Sequence, residues 1–379
     1  MGLSTVIRGE RSMSRRGFIT HTVGLAGGVA AASFLYRGAQ ASASPLAGHR
    51  VVDLDLLDTD RRRPVPSRLY LPLRASPAQP VPLVVFSHGL GGSRMGYRYL
   101  GSHWADEGIA SLHPQHVGSD SRVWQGNPLE LVQRLQAAAS ESEALARVLD
   151  LRYAIDKVLA SESAALIDVA RMAVAGHSYG ANTAMLVAGS RVSTANTGVT
   201  DLRDPRIRAA ILISAPPFVG QGPAEQVLGS ISMPTLHVTS LEDTVNIPGY
   251  RSTVEDRIAV FHAMRASPRT LAVFNTGGHS IFTDRTTLSG PDITARIKGA
   301  TRELSTLFLQ QELPRAGRMT GLDGDGAPAT ALLAPSEAQL THDGSQGIGQ
   351  WLLRHQDLLD RFVMPGGATV SQWPKPGTR

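Results

Sequence analysis

Ala173-Val174-Ala175-Gly176-His177-Ser178-Tyr179-Gly180 is an apolar run that ends in a G-x-S-x-G pattern and flows into a small-residue stretch, Tyr179 to Val187, compatible with a helix. The five letters alone carry little weight. With 38 glycines in 379 residues, chance alone produces roughly a third of such a match. The context carries the reading. Arg171 to Ala175 has the length and apolar content of a buried parallel strand, so strand, tight turn and helix follow in that order. This is the arrangement that lifts a serine hydroxyl clear of the backbone, with glycines on either side where side chains would clash. Ser178 is therefore read as a nucleophile on a strand-to-helix elbow.

The chain around the elbow supports an α/β reading. Upstream, Arg50 to Leu57 and Pro66 to Leu71 alternate loosely about the charged turn Asp58 to Arg63 and predict an antiparallel opening hairpin. Val81 to Ser87 is nearly all apolar and leads into the glycine-rich loop His88 to Gly92, then into a helix around Tyr97 to Glu107. Ile109 to His113 predicts another strand, and residues 127 to 160 carry Ala, Leu and Glu at helical spacing. Downstream, Ala209 to Ser214, Thr235 to Ser240 and Thr270 to Phe274 predict three more short strands, and Ile293 to Leu309 a closing helix. Such alternation predicts a mostly parallel central sheet with helices on both faces. Pro314 to Pro335 reads as a Gly/Pro/Ala-rich linker, and Gln350 to Val363 as an amphipathic helix that packs back on the body.

At 379 residues, 42% hydrophobic and 18% charged, the chain is long enough for one large globular domain without disulfides or a structural metal. The sequence pI near 9.8 raises the question of nucleic acid. Four of the five net positive charges, however, lie in residues 1 to 41, where Arg8, Arg11, Arg15, Arg16 and Arg37 face only Glu10. The near-neutral remainder has no basic patch for nucleic acid. That N-terminus reads as a targeting segment. Ser14-Arg15-Arg16-Gly17-Phe18-Ile19 has the twin-arginine pattern, Gly24 to Leu35 is the apolar region, and Ala39-Gln40-Ala41 and Ala41-Ser42-Ala43 are candidate cleavage sites. The expected organisation is a signal peptide over 1–43, a catalytic domain over 44–312, and a linker with a helical extension over 313–379. Export is expected by the twin-arginine machinery, to the periplasm or the exterior. The alternative, an uncleaved membrane anchor, is opposed by the short, glycine-interrupted apolar run. With no cysteine in the chain, lipoprotein linkage, disulfides and thiol chemistry are excluded.

A serine hydroxyl needs a base to take its proton and a carboxylate to fix the base's tautomer. Downstream of the candidate acids stand His262, His279, His342 and His355. His262 sits in an apolar helical run, and His342 and His355 lie beyond the linker. His279 directly follows a strand, in Thr276-Gly277-Gly278-His279-Ser280, and is read as the base. Asp243, just past Thr235 to Ser240, is read as the acid, with Glu242 as its rival and a solvated neighbour; the place after Ala209 to Ser214 holds Ala215-Pro216-Pro217. Two backbone N–H groups suit a developing oxyanion, those of Tyr179 and of Leu90 in the His88 to Gly92 loop. His88 and His177 are expected to support these groups through hydrogen bonds. His113 and His116 have H-x-x-H spacing without an acidic ligand pattern, so no metal is expected, and no cofactor is required. Trp124 and Tyr97 either line the acyl or alcohol pocket or pack in the body.

Phe86-Ser87-His88-Gly89-Leu90-Gly91-Gly92 with Gly176-His177-Ser178-Tyr179-Gly180 resembles the platelet-activating-factor acetylhydrolase and dienelactone-hydrolase-like branch of the α/β hydrolases, over about residues 50 to 310. The resemblance implies the α/β-hydrolase fold and a carboxylic ester hydrolase with a triad of Ser178, His279 and Asp243 and an oxyanion hole at Leu90 and Tyr179. The acid position departs from that branch's acetylhydrolases, whose carboxylate follows the preceding strand. Asp243 is similar in placement to the acid of lipases, cutinases and bacterial polyester hydrolases, though the disulfide common near the histidine of cutinase-like enzymes is absent. The expected function is an exported serine esterase that forms an acyl-enzyme on a small-molecule, lipid or polymer ester. Polyester depolymerase, phospholipid acyl hydrolase and acyltransferase are alternatives within that chemistry. Halide or epoxide chemistry on this fold is expected to place an aspartate at the elbow. A secreted non-catalytic binding module is the alternative from another class, and it predicts a broken triad, whereas every member is present here.

Overall fold

In the computed structural model, which describes residues 48–194, 198–247, 249–285, 287, 289–314, 347–366 and 369–371, ten strands form one sheet. The twin-arginine segment, its cleavage sites and all of the expected linker except Pro314 lie outside the described residues. The strands are β1 (His49–Leu54), β2 (Ser67–Pro72), β3 (Val81–Ser87), β4 (Ala110–Pro114), β5 (Ile167–His177), β6 (Ile207–Ile213), β7 (Thr235–Glu242), β8 (Arg269–Gly278), β9 (Leu359–Val363) and β10 (Thr369–Ser371). Their spatial order is β1-β2-β4-β3-β5-β6-β7-β8-β9-β10. From β4 to β8 every neighbouring pair is parallel, and the pairs at both edges are antiparallel.

The helices are α1 (Arg98–Asp106), α2 (Leu131–Ala138), α3 (Glu141–Leu159), α4 (Tyr179–Ala188), α5 (Ala224–Leu228), α6 (Val254–Ala263), α7 (Pro291–Glu312) and α8 (Ile348–His355). The central strands are continuous apolar runs because both of their faces are covered. Side chains alternate between two cores. Leu83, Val85, Met172, Val174 and Leu212 pack with Leu151 of α3 and Met185 of α4, while Val84, Phe86, Ala175, Ile211 and Ile213 pack with Trp104 of α1 and Leu304 of α7. The chain leaves β3 toward β4 on one side and β5 toward β6 on the other. A crevice therefore opens beyond the carboxyl ends of the adjacent strands β3 and β5, where the strand order reverses.

Three departures from the sequence reading follow from tertiary packing. Residues 127 to 160 are not one helical stretch: the 3-10 turn Pro128–Glu130 precedes α2, and Ser140 restarts the chain as α3 by accepting the Glu143 N–H on its side chain. Gln350 to Val363 is not one helix either. α8 ends at His355, and Leu359–Val363 becomes β9, antiparallel to β8. Strand pairing wins there because β8 would otherwise present an unpaired edge, and it buries Phe362 5.6 Å from the Trp351 ring. The hairpins Arg191–Thr194/Gly198–Asp201 and Val245–Ile247/Tyr250–Ser252 carried no alternation strong enough to predict them.

Candidate active site

β5 delivers the chain to Ser178, which takes φ 55° and ψ −124°, a backbone state that costs a side-chain-bearing residue on the order of 1–3 kcal/mol. The flanking glycines permit it. A Cβ on Gly176 would stand 2.1 Å from the Gly180 carbonyl oxygen, and one on Gly180 1.9 Å from that of Ser87. β3, β5 and α4 therefore meet backbone to backbone, with no room for a methyl group. The Ser178 N–H donates to Ile213 O at 2.9 Å and closes the turn against β6.

His279 follows β8 directly. Its Nε2 lies 2.9 Å from Ser178 Oγ and its Nδ1 2.7 Å from Asp243 Oδ1. Asp243, just past β7, is fully buried; its other oxygen accepts from Thr239 Oγ1 at 2.7 Å and faces the buried Arg257 guanidinium at 3.5 Å. Burial works to raise the Asp243 carboxyl, but the hydrogen bond and charge of His279, followed by the charge of Arg257, outweigh it and hold the group well below the usual carboxylate range. Glu242 turns elsewhere. It accepts from the Thr276 hydroxyl at 3.1 Å and the Gly277 N–H at 3.2 Å. It is exposed, as expected of a solvated neighbour, yet it also ties the end of β7 to the end of β8, just before His279.

In the loop after β3, the Gly89 N–H donates to the Tyr97 hydroxyl at 3.4 Å, the Gly91 N–H to Ser119 O at 2.9 Å, and the Gly92 N–H to Gly89 O at 3.0 Å. Among the described residues, neither the Leu90 N–H between them nor the Tyr179 N–H at the start of α4 meets a protein acceptor. Such free donors are what an oxyanion site requires. A cleft of about 330 Å³ opens here, with Gly89, Leu90, Ser178 and His279 in its walls.

Both flanking histidines brace the loop. His177 Nε2 donates to His279 O at 3.2 Å, and its Nδ1 accepts from the Tyr97 hydroxyl at 2.9 Å. Burial pushes His177 down to about 3, so it is neutral, as this donor–acceptor arrangement demands. His88 Nδ1 donates to Gly89 O at 2.8 Å, and its Nε2 accepts the His116 N–H at 3.1 Å. Tyr97 lines the cleft. Trp124 instead seats on the loop, its Nε1 donating to Gly91 O at 3.0 Å.

Beneath the loop lies Arg147 of α3, fully buried. It donates to His88 O, Ser87 Oγ, Ser119 Oγ and Thr183 Oγ1, and its guanidinium stands 4.5 Å from the centre of the Tyr179 ring. One cation thus touches both residues' surroundings that supply the free amides. Burial lowers it to about 10, and it remains charged at neutral pH. A second Ser–His–Asp series runs alongside, with Ser87 Oγ 3.0 Å from His116 Nε2 and His116 Nδ1 3.1 Å from Asp150 Oδ2. All three are sealed from solvent, and Ser87 Oγ accepts from Arg147, so this series braces the loop instead of presenting a nucleophile. His113 bonds Ser111 Oγ and does not join His116. Among the described residues no cluster of three or more His, Asp or Glu is arranged to hold a metal ion.

Sequence reasoning missed Arg147, Arg257 and the bracing role of Glu242. For Arg147 a signal existed: it falls on the apolar register of α3 with Leu151, Ala154 and Val158, where a charge implies buried partners.

A family profile described as platelet-activating factor acetylhydrolase, isoform II, matches residues 59–125. That span holds β2 to β4 and the Leu90 loop, but not Ser178, Asp243 or His279. Among solved structures the chain is similar to the Pyrococcus horikoshii acylaminoacyl peptidase, at 17% identity and a TM-score of 0.51 over 73% of this chain and 44% of that one. It thus spans less than half of that peptidase's length. No curated protein matches the chain by sequence.

Proposed function

On the α/β-hydrolase fold that this chain has, we infer an exported serine hydrolase of carboxylic esters. Ser178 is its nucleophile, His279 its general base and acid, Asp243 the group that orients His279, and the Leu90 and Tyr179 amides its oxyanion donors. The observation that carries the reading is the Ser178–His279–Asp243 series, at 2.9 and 2.7 Å, at the carboxyl ends of three parallel strands.

In the reaction so derived, Ser178 Oγ attacks the ester carbonyl carbon while its proton passes to His279 Nε2. The carbonyl oxygen takes up negative charge facing the two amides. Collapse expels the alcohol, which leaves with the proton from His279. Water, activated by the same nitrogen, then attacks the acyl-enzyme, releases the acid and restores the Ser178 hydroxyl. Asp243 stays ionised throughout and keeps the His279 Nδ1–H facing it. Small-molecule, lipid and polymer esters all suit this chemistry, as does transfer to an alcohol in place of water.

The test is hydrolysis of a p-nitrophenyl ester series from acetate to palmitate by the exported fraction, from which joint Arg15→Lys and Arg16→Lys replacement is expected to remove the activity. Ser178→Ala is expected to lower kcat by roughly 10⁴-fold or more without unfolding the protein. The acyl-length optimum separates a short-acyl pocket from a lipid- or polymer-facing cleft. Folded wild-type protein that turns over none of the series and leaves Ser178 unlabelled by a fluorophosphonate would sink the reading.

A further inference from the structure

The Leu90 and Tyr179 amides stand on segments far apart in the sequence, and a single side chain reaches both. It is Arg147 of α3, fully buried. On the Leu90 side, Arg147 Nη2 donates to His88 O, two residues before Leu90. Its Nη1 donates at 2.7 Å to the hydroxyl of Ser119, whose carbonyl accepts the Gly91 N–H at 2.9 Å. The loop is therefore pinned on both sides of the Leu90 amide. On the Tyr179 side, Arg147 Nε donates at 2.9 Å to Thr183 Oγ1, which in turn donates to Tyr179 O at 3.2 Å. The guanidinium also lies 4.5 Å from the centre of the Tyr179 ring, so the first turn of α4 is held through backbone and side chain alike.

Taking a guanidinium out of water is costly, and a well-packed apolar residue often serves a fold as well or better in such a place. Glu143 and Asp150 of the same helix are ion-paired with Arg63, and Asp150 with Arg61 as well. Among the described residues, the hydrogen bonds of Arg147 end instead on uncharged oxygens. What this arginine adds is geometry. Its planar fork fixes the directions of its donors, so the strand end at Ser87 and His88, the turn at Ser119 and the helix start at Thr183 keep one fixed relation. A second Nη2 bond, at 3.0 Å, ends on Ser87 Oγ of the sealed Ser87, His116 and Asp150 series and stiffens the same corner. An oxyanion site works only when both donors aim at the point where charge develops, and a misplacement of about 1 Å costs on the order of 10²-fold in rate. A residue that sets the spacing of the two amides therefore acts on the tetrahedral state and leaves substrate binding nearly untouched.

We propose that Arg147 is the positioning residue of the oxyanion site, holding the Leu90 and Tyr179 amides at the spacing that a tetrahedral intermediate requires. This rests on Ser178 as the nucleophile and on those two amides as the donors. The experiment takes wild type, Arg147→Lys, Arg147→Met and Thr183→Val, and measures kcat and KM for p-nitrophenyl butyrate, Ki for an alkyl trifluoromethyl ketone, and the melting temperature. In the ketone adduct Ser178 Oγ bonds the carbonyl carbon, its proton passes to His279 Nε2, and the former carbonyl oxygen becomes the oxyanion. Ki thus reads the two donors with no leaving group involved. Arg147→Lys keeps the charge but not the fork. Both Arg147 variants are expected to lower kcat roughly 10²-fold and to raise Ki as much, with KM changed less than about threefold. Thr183→Val leaves Arg147 in place and cuts its link to Tyr179 O; it is expected to lower kcat and ketone affinity together by roughly threefold to tenfold. Added to Arg147→Lys, it is expected to cost little more, because the two act through one connection. Should the Arg147 variants not fold, Thr183→Val decides by itself. Folded Arg147 variants with kcat and Ki within about threefold of wild type overturn the proposal. So does a Thr183→Val effect confined to the melting temperature, since Arg147 is then structural only. Wild-type protein with neither Ser178-dependent turnover nor inhibition by the ketone overturns the hydrolase reading beneath it.

Discussion

Two adjacent carboxylates, Glu242 and Asp243, leave the end of β7 in different directions. Asp243 meets the imidazole of His279, and Glu242 meets the Gly277 N–H and Thr276 hydroxyl at the end of β8, which presents it. Substitution separates the two roles. Asp243→Asn is expected to reduce kcat roughly 10⁴-fold, because an amide facing Nδ1 favours the wrong tautomer and gives no charge to the imidazolium. Glu242→Gln keeps an acceptor for the loop and is expected to cost less than about tenfold. Steady-state kinetics on one p-nitrophenyl ester checks both, and equal losses would refute this division of labour. Ser178, Asp243 and His279 were legible in the sequence because each stands at a glycine-rich or turn-forming site just past an apolar strand. Arg257 was not, and for Arg147 the apolar register of α3 signalled burial without naming its partners, because what closes over a guanidinium depends on elements distant along the chain.

Among the elements, α8 with β9 shows how far local pattern reaches. The apolar spacing of Trp351 and Leu352 marks a helix that docks, and it does: Trp351 is fully buried and donates its indole N–H to Ala300 O of α7 at 3.0 Å. The same spacing says nothing of where the helix stops. The open edge of β8, far away in sequence, recruits Leu359–Val363 as a strand. Trp351→Ala is expected to destabilise the fold by about 3–5 kcal/mol, since it empties a site walled by α7 and β9 and removes the indole's hydrogen bond to Ala300 O. Urea unfolding checks this. A loss below about 1 kcal/mol would mean that the C-terminal segment contributes little to the core.

At the scale of the molecule, the five histidines buried among the described residues set the response to acid. His88, His113, His116, His177 and His237 are all pushed down from their ordinary value by burial first of all, His113, His177 and His237 to about 3. In the unfolded chain each would titrate near about 6.5. Between those values the unfolded state binds more protons, so stability rises with pH there and falls as pH drops through about 6.5 toward 3. Asp243, held low, loses its contribution only below the ordinary range of an aspartate. The melting temperature is therefore expected to be highest above about pH 7 and to fall steadily through pH 6, 5 and 4, before the carboxylates protonate. A melting temperature that is level between pH 7 and pH 4 would contradict the buried, neutral state of these rings.

The sequence by itself determined the parallel sheet, the elbow at Ser178 and the three residues that meet there. Those features are written in short-range physics: apolar runs long enough for a strand, glycines where two backbones touch, and catalytic residue types just past strand ends. Tertiary structure alone decided the rest. It made Leu359–Val363 a strand, sank Arg147 beneath the Leu90 loop and turned Glu242 toward Gly277. Each of these depends on contacts between segments distant along the chain, and the balance of burial, charge and hydrogen bonding that settles them exists only once the sheet has brought those segments together.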